Sequence, residues 1–262
     1  MKKTLIYILF VLAVLLSGCV STVAPVDPSD ITVSVAPIQI KEFQEKEISV
    51  NVMNNATSPI DSVSVKSLEP FTVLSGGNVN IPARDDQPSP VLLSAKIQAP
   101  GFKDVVNTST LTISYQSGKD SKGNLITNTK SVPVNTVVLP DAKLQFVGFV
   151  KDINSISEAE VTSWEANKGD NLTITFSIKN DGRSVIDENT LKVVADVDNK
   201  RMGTNNSITI GNAMAKGGTS NTLPLQIQVL KNAPNGETDV FVTLMMGDKI
   251  IDSKTIKLKV RL

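Results

Sequence analysis

Leu172-Thr173-Ile174-Thr175-Phe176-Ser177-Ile178 sets apolar side chains at every second position and hydroxyls between them, and then runs into Asn180-Asp181-Gly182. Successive side chains of an extended chain point to opposite faces, so this stretch makes a strand with one buried face. The Asn-Asp-Gly that follows supplies residues that tolerate positive φ and signals a turn. The same period of two spreads outward in both directions. Toward the N-terminus it recurs at Ile31-Thr-Val33-Ser-Val35, Ile48-Ser-Val50-Asn-Val52, Val63-Ser-Val65, Leu93-Ser-Ala95-Lys-Ile97 and Leu111-Thr-Ile113-Ser-Tyr115. Toward the C-terminus strands are predicted at 191–197, 207–210, 223–230, 239–244 and 250–262. Turn residues punctuate the runs at Asn54-Asn55, Ser75-Gly76-Gly77, Ala99-Pro100-Gly101 and Lys122-Gly123-Asn124. Short strands with β-branched enrichment and frequent turns predict an all-β chain built as antiparallel sandwiches.

The two halves look like copies of one another. Ile48, Val50, Val52, Asn54, Ile60 and Asp61 align without a gap with Ile174, Phe176, Ile178, Asn180, Ile186 and Asp187. With small gaps, Pro100 falls near Pro234, and Lys130, Val132 and Val134 match Lys254, Ile256 and Leu258. This pattern predicts two tandem domains, 31–139 and 140–262, with the boundary at Leu139-Pro140-Asp141. The second domain carries extra residues near its start, an inserted loop at 152–169. Ser157 is placed there to cap a helical turn through Ala159 and Val161.

The N-terminus has its own pattern. Lys2 and Lys3 precede the unbroken apolar run Leu5 to Leu16, and Leu16-Ser17-Gly18-Cys19 follows. A positive start, an apolar core and small residues before a cut form a secretory signal peptide, 1–18. As a helix the run reaches roughly 18 Å, short of the ~30 Å hydrocarbon core of a bilayer. The tetrad resembles the lipobox of prokaryotic lipoproteins. That resemblance implies cleavage between Gly18 and Cys19, with the Cys19 thiol carrying a diacylglyceryl group. Two acyl chains hold a protein stably at a membrane where one does not. Residues 19–30, small, polar and proline-bearing, form a lipidated tether. The expected location is extracytoplasmic, anchored to the cell membrane through Cys19.

The strand-and-turn pattern resembles the CARDB and S-layer-associated Ig-like sandwich modules of archaeal and bacterial surface proteins. Their hallmark is a strand ending in Val-x-Asn-x-Gly. Ile178-Lys179-Asn180-Asp181-Gly182 fits it, while Val52-Met53-Asn54-Asn55-Ala56 lacks the glycine. The resemblance implies two Ig-like domains and, by analogy, surface display. It transfers no catalytic residue.

Composition removes several chemistries. The chain has no histidine, which excludes Ser-His-Asp and Cys-His nucleophile systems and His-ligated zinc. Cys19 is the only cysteine, so the exported part has no disulfide framework and is held together by burial. Lys and Arg number 26 against 26 Asp and Glu, a balance that gives no electrostatic reason for a nucleic-acid partner. No catalytic residue, cofactor or metal site is assigned. Asp196, Asp198 and Asn199 are weighed as calcium oxygens against an ordinary polar turn, and the turn is preferred. Trp164, the only tryptophan, with Glu158, Glu160 and Glu165, makes the inserted loop a candidate partner contact, set against a tryptophan that plugs a core. Asn55, Asn107, Asn171 and Asn205 begin Asn-x-Ser/Thr triplets and are candidate glycan acceptors. The expected role is non-enzymatic: a structural or protein-binding component of the cell envelope with an envelope protein as partner. The alternatives are a solute- or polysaccharide-binding lipoprotein, or an accessory subunit of a transporter or surface-filament complex.

Overall fold

The computed structural model describes residues 24–86, 89–104, 107–145, 148–150, 163–221 and 223–261. Among them helix is confined to three 3-10 turns, Pro28–Asp30, Arg84–Asp86 and Phe102–Asp104, and the rest of the regular structure is strand. The fold is all-β. The predicted signal peptide, with Gly18, and Cys19, Ser157, Glu158 and Glu160 lie outside the described residues.

The chain forms two compact units that do not divide at one point in the sequence. The first comprises the chain up to Ile38, with Lys46–Ile97 and Thr108–Asn135; the second comprises Gln39–Glu45, Gln98–Asn107 and Thr136–Leu262.

The earlier strands are β1 (Ile31–Val35), β2 (Ile38–Lys41), β3 (Glu45–Asn54), β4 (Ile60–Glu69), β5 (Thr72–Ser75), β6 (Val79–Ile81), β7 (Val91–Gln98), β8 (Thr108–Lys119) and β9 (Leu125–Leu139). They make a four-stranded sheet, β1-β3-β7-β5, and a five-stranded sheet, β2-β9-β8-β4-β6. Alternation decides which faces meet. Ile48, Val50 and Val52 of β3, Leu93, Ala95 and Ile97 of β7, and Leu111, Ile113 and Tyr115 of β8 are all buried. Their polar neighbours in sequence face outward, as a half-buried sheet requires.

The later strands are β10 (Ala142–Leu144), β11 (Gly148–Val150), β12 (Ser163–Asn167), β13 (Asn171–Phe176), β14 (Ile178–Asn180), β15 (Leu191–Val197), β16 (Asn206–Thr209), β17 (Leu223–Gln228), β18 (Gly236–Met246) and β19 (Lys249–Arg261). One layer holds β10-β14 and β11-β13-β17, interrupted at Ser177; the other is the five-stranded sheet β12-β19-β18-β15-β16. Leu172, Ile174, Phe176 and Ile178 lie in a continuous core with Trp164, Val193, Val242 and Leu258. The five-stranded order repeats that of the first sandwich. A short edge strand flanks the last strand, then come the penultimate strand, one inner strand (β4 or β15) and a short strand at the opposite edge (β6 or β16). This Ig-like order recurs in both halves.

The repeat extends to hydrogen bonds. Asn54 and Asn180 are both completely buried. Asn54 Nδ2 donates to the carbonyls of Ser58 (2.7 Å) and Pro82 (3.0 Å), and its Oδ1 accepts from Ala56 N–H (3.1 Å). Asn180 Nδ2 donates to Ser184 (2.9 Å) and Ala215 (3.1 Å), and its Oδ1 accepts from Gly182 N–H (3.0 Å). Each side chain closes the turn that follows it and ties that turn to a distant stretch of backbone. The backbone matches too: Asn55 N–H donates to Asp30 and Asp181 N–H to Asp141, both at 2.8 Å. A buried turn has polar backbone groups that need partners, and one asparagine supplies both donor and acceptor.

Candidate functional site

The start of the fold is fastened earlier than the composition indicates. Val26, inside the predicted tether, is 5% exposed. Its N–H donates to Ser117 Oγ (2.9 Å) and its carbonyl accepts from Tyr115 Oη (3.0 Å). Burial pushes the Tyr115 phenol upward, with the charges of Asp27 and Asp30 adding to the shift, so the hydroxyl stays a donor. The predicted tether 19–30 is therefore corrected: from Val26 on, its residues belong to the fold. From Cys19 to Val26 the chain spans at most about 25 Å.

Glu42 is the buried carboxylate that sequence reasoning missed; it is 3% exposed. Within the second unit it accepts from Arg183 N–H (3.0 Å), Ser184 N–H (3.3 Å), the Ser184 hydroxyl and, at 3.5 Å, Phe102 N–H. A Cβ on Gly182 would lie 1.8 Å from Glu42 Oε1, so only glycine lets the carboxylate reach this turn. Next to it Phe43 holds a left-handed φ of 59°, and the Arg183 guanidinium lies 5.1 Å from the centre of its ring. The arrangement satisfies a buried charge with backbone and hydroxyl donors. It fixes the stretch 39–45 in place and leaves the carboxylate no room to act on a ligand. Lys41-Glu42-Phe43 looks like an ordinary polar link in sequence; only the Asn-Asp-Gly-Arg-Ser turn, 140 residues on, would have hinted at an anion partner.

The predicted contact loop is partly a strand. Ser163–Asn167 is β12, running parallel to β19 with Trp164 opposite Leu258. Trp164 is 1% exposed and packs in the core, so its assignment as a partner contact is corrected: no face of the ring is presented to a partner. Glu165, its neighbour, points outward and pairs with Arg261. The acidic turn is also engaged, with Asp196 paired to Lys200, and among the described residues no group of three or more Asp, Glu, His or Cys is placed to hold a metal ion. The glycan-acceptor candidates are dispersed. Asn55 is half-buried and donates to Thr32 Oγ1 (3.0 Å), while Asn107, Asn171 and Asn205 are exposed. Asn205 Oδ1 accepts from Val197 N–H (3.0 Å) and so also seals the end of β15.

Asp181 sits between Lys179 (2.8 Å) and Lys143 (3.0 Å). Hydrogen bonds from Lys179 and then Lys143 hold its carboxyl below the usual carboxylate range. A depressed folded-state pKa contributes stability that is present above the unfolded value and lost as pH falls through the folded one. Asp181→Asn is therefore expected to flatten the acid limb of the stability curve. Urea midpoints measured from pH 6 down to pH 2 should fall less steeply for the variant than for the wild type.

No family model matches the chain, and no curated protein matches it. Solved structures that align with it include a protein of unknown function from Porphyromonas gingivalis W83, at 15% identity over 89% of this chain and 100% of that one, with a TM-score of 0.27. Red sea bream transglutaminase aligns at 12% identity over 89% of this chain, with a TM-score of 0.38, and the chain spans 31% of its length. The C-terminal domain of the Streptococcus agalactiae AgI/II polypeptide BspA aligns at 10% identity over 87% of this chain and 99% of that one, with a TM-score of 0.27. At these scores the likenesses carry no argument about what the chain does.

Proposed function

We propose that the chain is an exported lipoprotein, anchored through Cys19 to the outer face of a cell membrane, whose tandem sandwiches act as a non-enzymatic structural or protein-binding component of the envelope. The observation that carries this is the closeness of the lipobox cysteine to Val26, a residue pinned in the fold. Val26, seven residues after Cys19, is already hydrogen-bonded into the fold, and a span of that length fits a body held against a membrane. The buried carboxylate and the two buried asparagines each spend their hydrogen bonds on the fold, in keeping with a scaffold. The Ig-like order and the Val-x-Asn-x-Gly pattern support kinship with the CARDB and S-layer-associated modules.

Expression in a lipoprotein-processing cell tests it. Wild type is expected to incorporate labelled fatty acid and fractionate with membranes. Cys19→Ser is expected to lose the label entirely and accumulate with its signal uncleaved. Label retained on Cys19→Ser would overturn the anchor. Crosslinking in intact cells, with a tag after Leu262, then tests the role: a reproducible discrete envelope protein supports it, and its absence moves the alternative forward.

One observation favours polysaccharide binding as that alternative. The outer face of β4, β8 and β9 carries uncharged rows in register: Ser64, Ser114 and Thr129; Ser67, Thr112 and Ser131. The Ser64 and Ser114 hydroxyls are 3.1 Å apart and those of Thr112 and Ser131 2.8 Å apart. Such a hydroxyl surface suits a sugar polymer, and a rise in melting temperature with added envelope polysaccharide would mark it.

A further inference from the structure

Among the described residues, the first sandwich lacks one strand segment that the second possesses. In the second, β11 lies antiparallel to β13, with Gly148 opposite Thr175, Phe149 opposite Ile174 and Val150 opposite Thr173. Matching the strands through Asn54 and Asn180 puts Ser49, Ile48 and Glu47 of β3 at the same three positions. There β1 has already ended, for its register with β3 stops at Val35 opposite Val50. Pro37 gives the reason. It has no N–H for a ladder and a fixed φ, so the chain leaves the edge at Ala36-Pro37 and resumes as β2 in the other sheet. The other side of β3 is taken by β7. Among the described residues, no strand pairs with 47–49 on the side that β1 vacates. A cleft of about 220 Å³ lies there, lined by 35–38 and 46–49, all within the first unit.

We propose that this cleft is a strand-addition site for an extended peptide segment of a partner protein. The segment lies antiparallel to β3 with an apolar residue opposite Ile48 and a basic residue opposite Glu47. The chain itself supplies the template, since β11 fills the matching slot of the second sandwich. Side chains directly opposite across a ladder share a face. Ile48 is buried, so the residue opposite it enters the core and is apolar. Glu47 is exposed on the outer face, where its carboxylate is steadied by the Ser94 hydroxyl, and a cation opposite it completes a cross-strand pair. Main-chain hydrogen bonds supply affinity and the alternate side chains supply selectivity. This inference does not depend on the membrane anchor.

The probe is a fluorescein-labelled peptide of residues 144–152 carrying V150K, titrated into the full chain by anisotropy, with hydrogen exchange read at residue level. Saturable binding is expected, with slowed exchange at 47–49. A V150E peptide is expected to bind more weakly by about two- to fivefold, the range of a cross-strand charge pair. On the Glu47→Lys protein the ranking should invert. Glu47 is exposed, so this variant folds. Absence of saturable binding overturns the proposal. So does protection at 173–175, which would mean the peptide displaces β11, and so does the same peptide ranking on both proteins.

Discussion

Glu42→Ala lowers the stability of the second unit by about 3–5 kcal/mol, from two or more hydrogen bonds to a charged acceptor at about 1.5–3 kcal/mol apiece. The loss has two sources. The charge-assisted bonds from Arg183, Ser184 and the Ser184 hydroxyl disappear. The N–H groups of Arg183 and Ser184 are also left without their acceptor, at about 1–3 kcal/mol each where they stay unsatisfied. Glu42→Gln is the informative companion. It keeps the shape but offers one accepting oxygen in place of two, so it falls between wild type and alanine. Urea unfolding, with hydrogen exchange of β18 to identify the second unit, reads both. A Glu42→Ala protein as stable as wild type would show that the donors find water at no cost.

Asn54→Ala and Asn180→Ala are each expected to cost about 2–4 kcal/mol, from several bonds at about 1 kcal/mol apiece plus the carbonyls and N–H left behind. Aspartate is expected to be worse than alanine at both positions. It retains the acceptor for Ala56 or Gly182 but turns the Nδ2 donor into an oxygen aimed at carbonyls, at 2.7–3.0 Å in the first unit. Hydrogen exchange resolved by segment separates the two variants. Asn54→Ala should speed exchange of β3 and β4, and Asn180→Ala that of β14 and β15.

The longer strands and the repeat were legible because they rest on local alternation, whereas β2, β5, β6, β10 and β11, of three or four residues each, are too short to show a period and were not predicted. Ile174, Phe176 and Ile178 announce their buried face within seven residues, and the gapless match of Asn54 with Asn180 marks two side chains that do the same work. Val26 was not legible. One apolar residue among prolines and aspartates has no period, and its partners, Tyr115 and Ser117, are about ninety residues away. β12 was read as loop for a related reason. Its alternation, Trp164 in and Glu165 out, Ala166 in and Asn167 out, lasts only four residues and follows a glutamate-bearing stretch that looks helical. Glu42 was missed because a buried carboxylate is defined by its donors, and these belong to a turn 141 positions further on. The candidate strand slot needed both sandwiches side by side, since Pro37 marks where a strand stops but not what lies empty beyond it.

The parallel pairing of β12 with β19 bears on how the second sandwich carries load. Ser163 through Asn167 run alongside Lys257 through Arg261 in the same direction. A pull entering β12 from its N-terminal side and leaving β19 from its C-terminal side drags the two strands past each other along their length. The slanted hydrogen bonds between them then share the strain and must yield together, whereas a hairpin pulled open at its free ends gives way one bond at a time. Along that axis the β12–β19 edge is loaded in shear and not peeled.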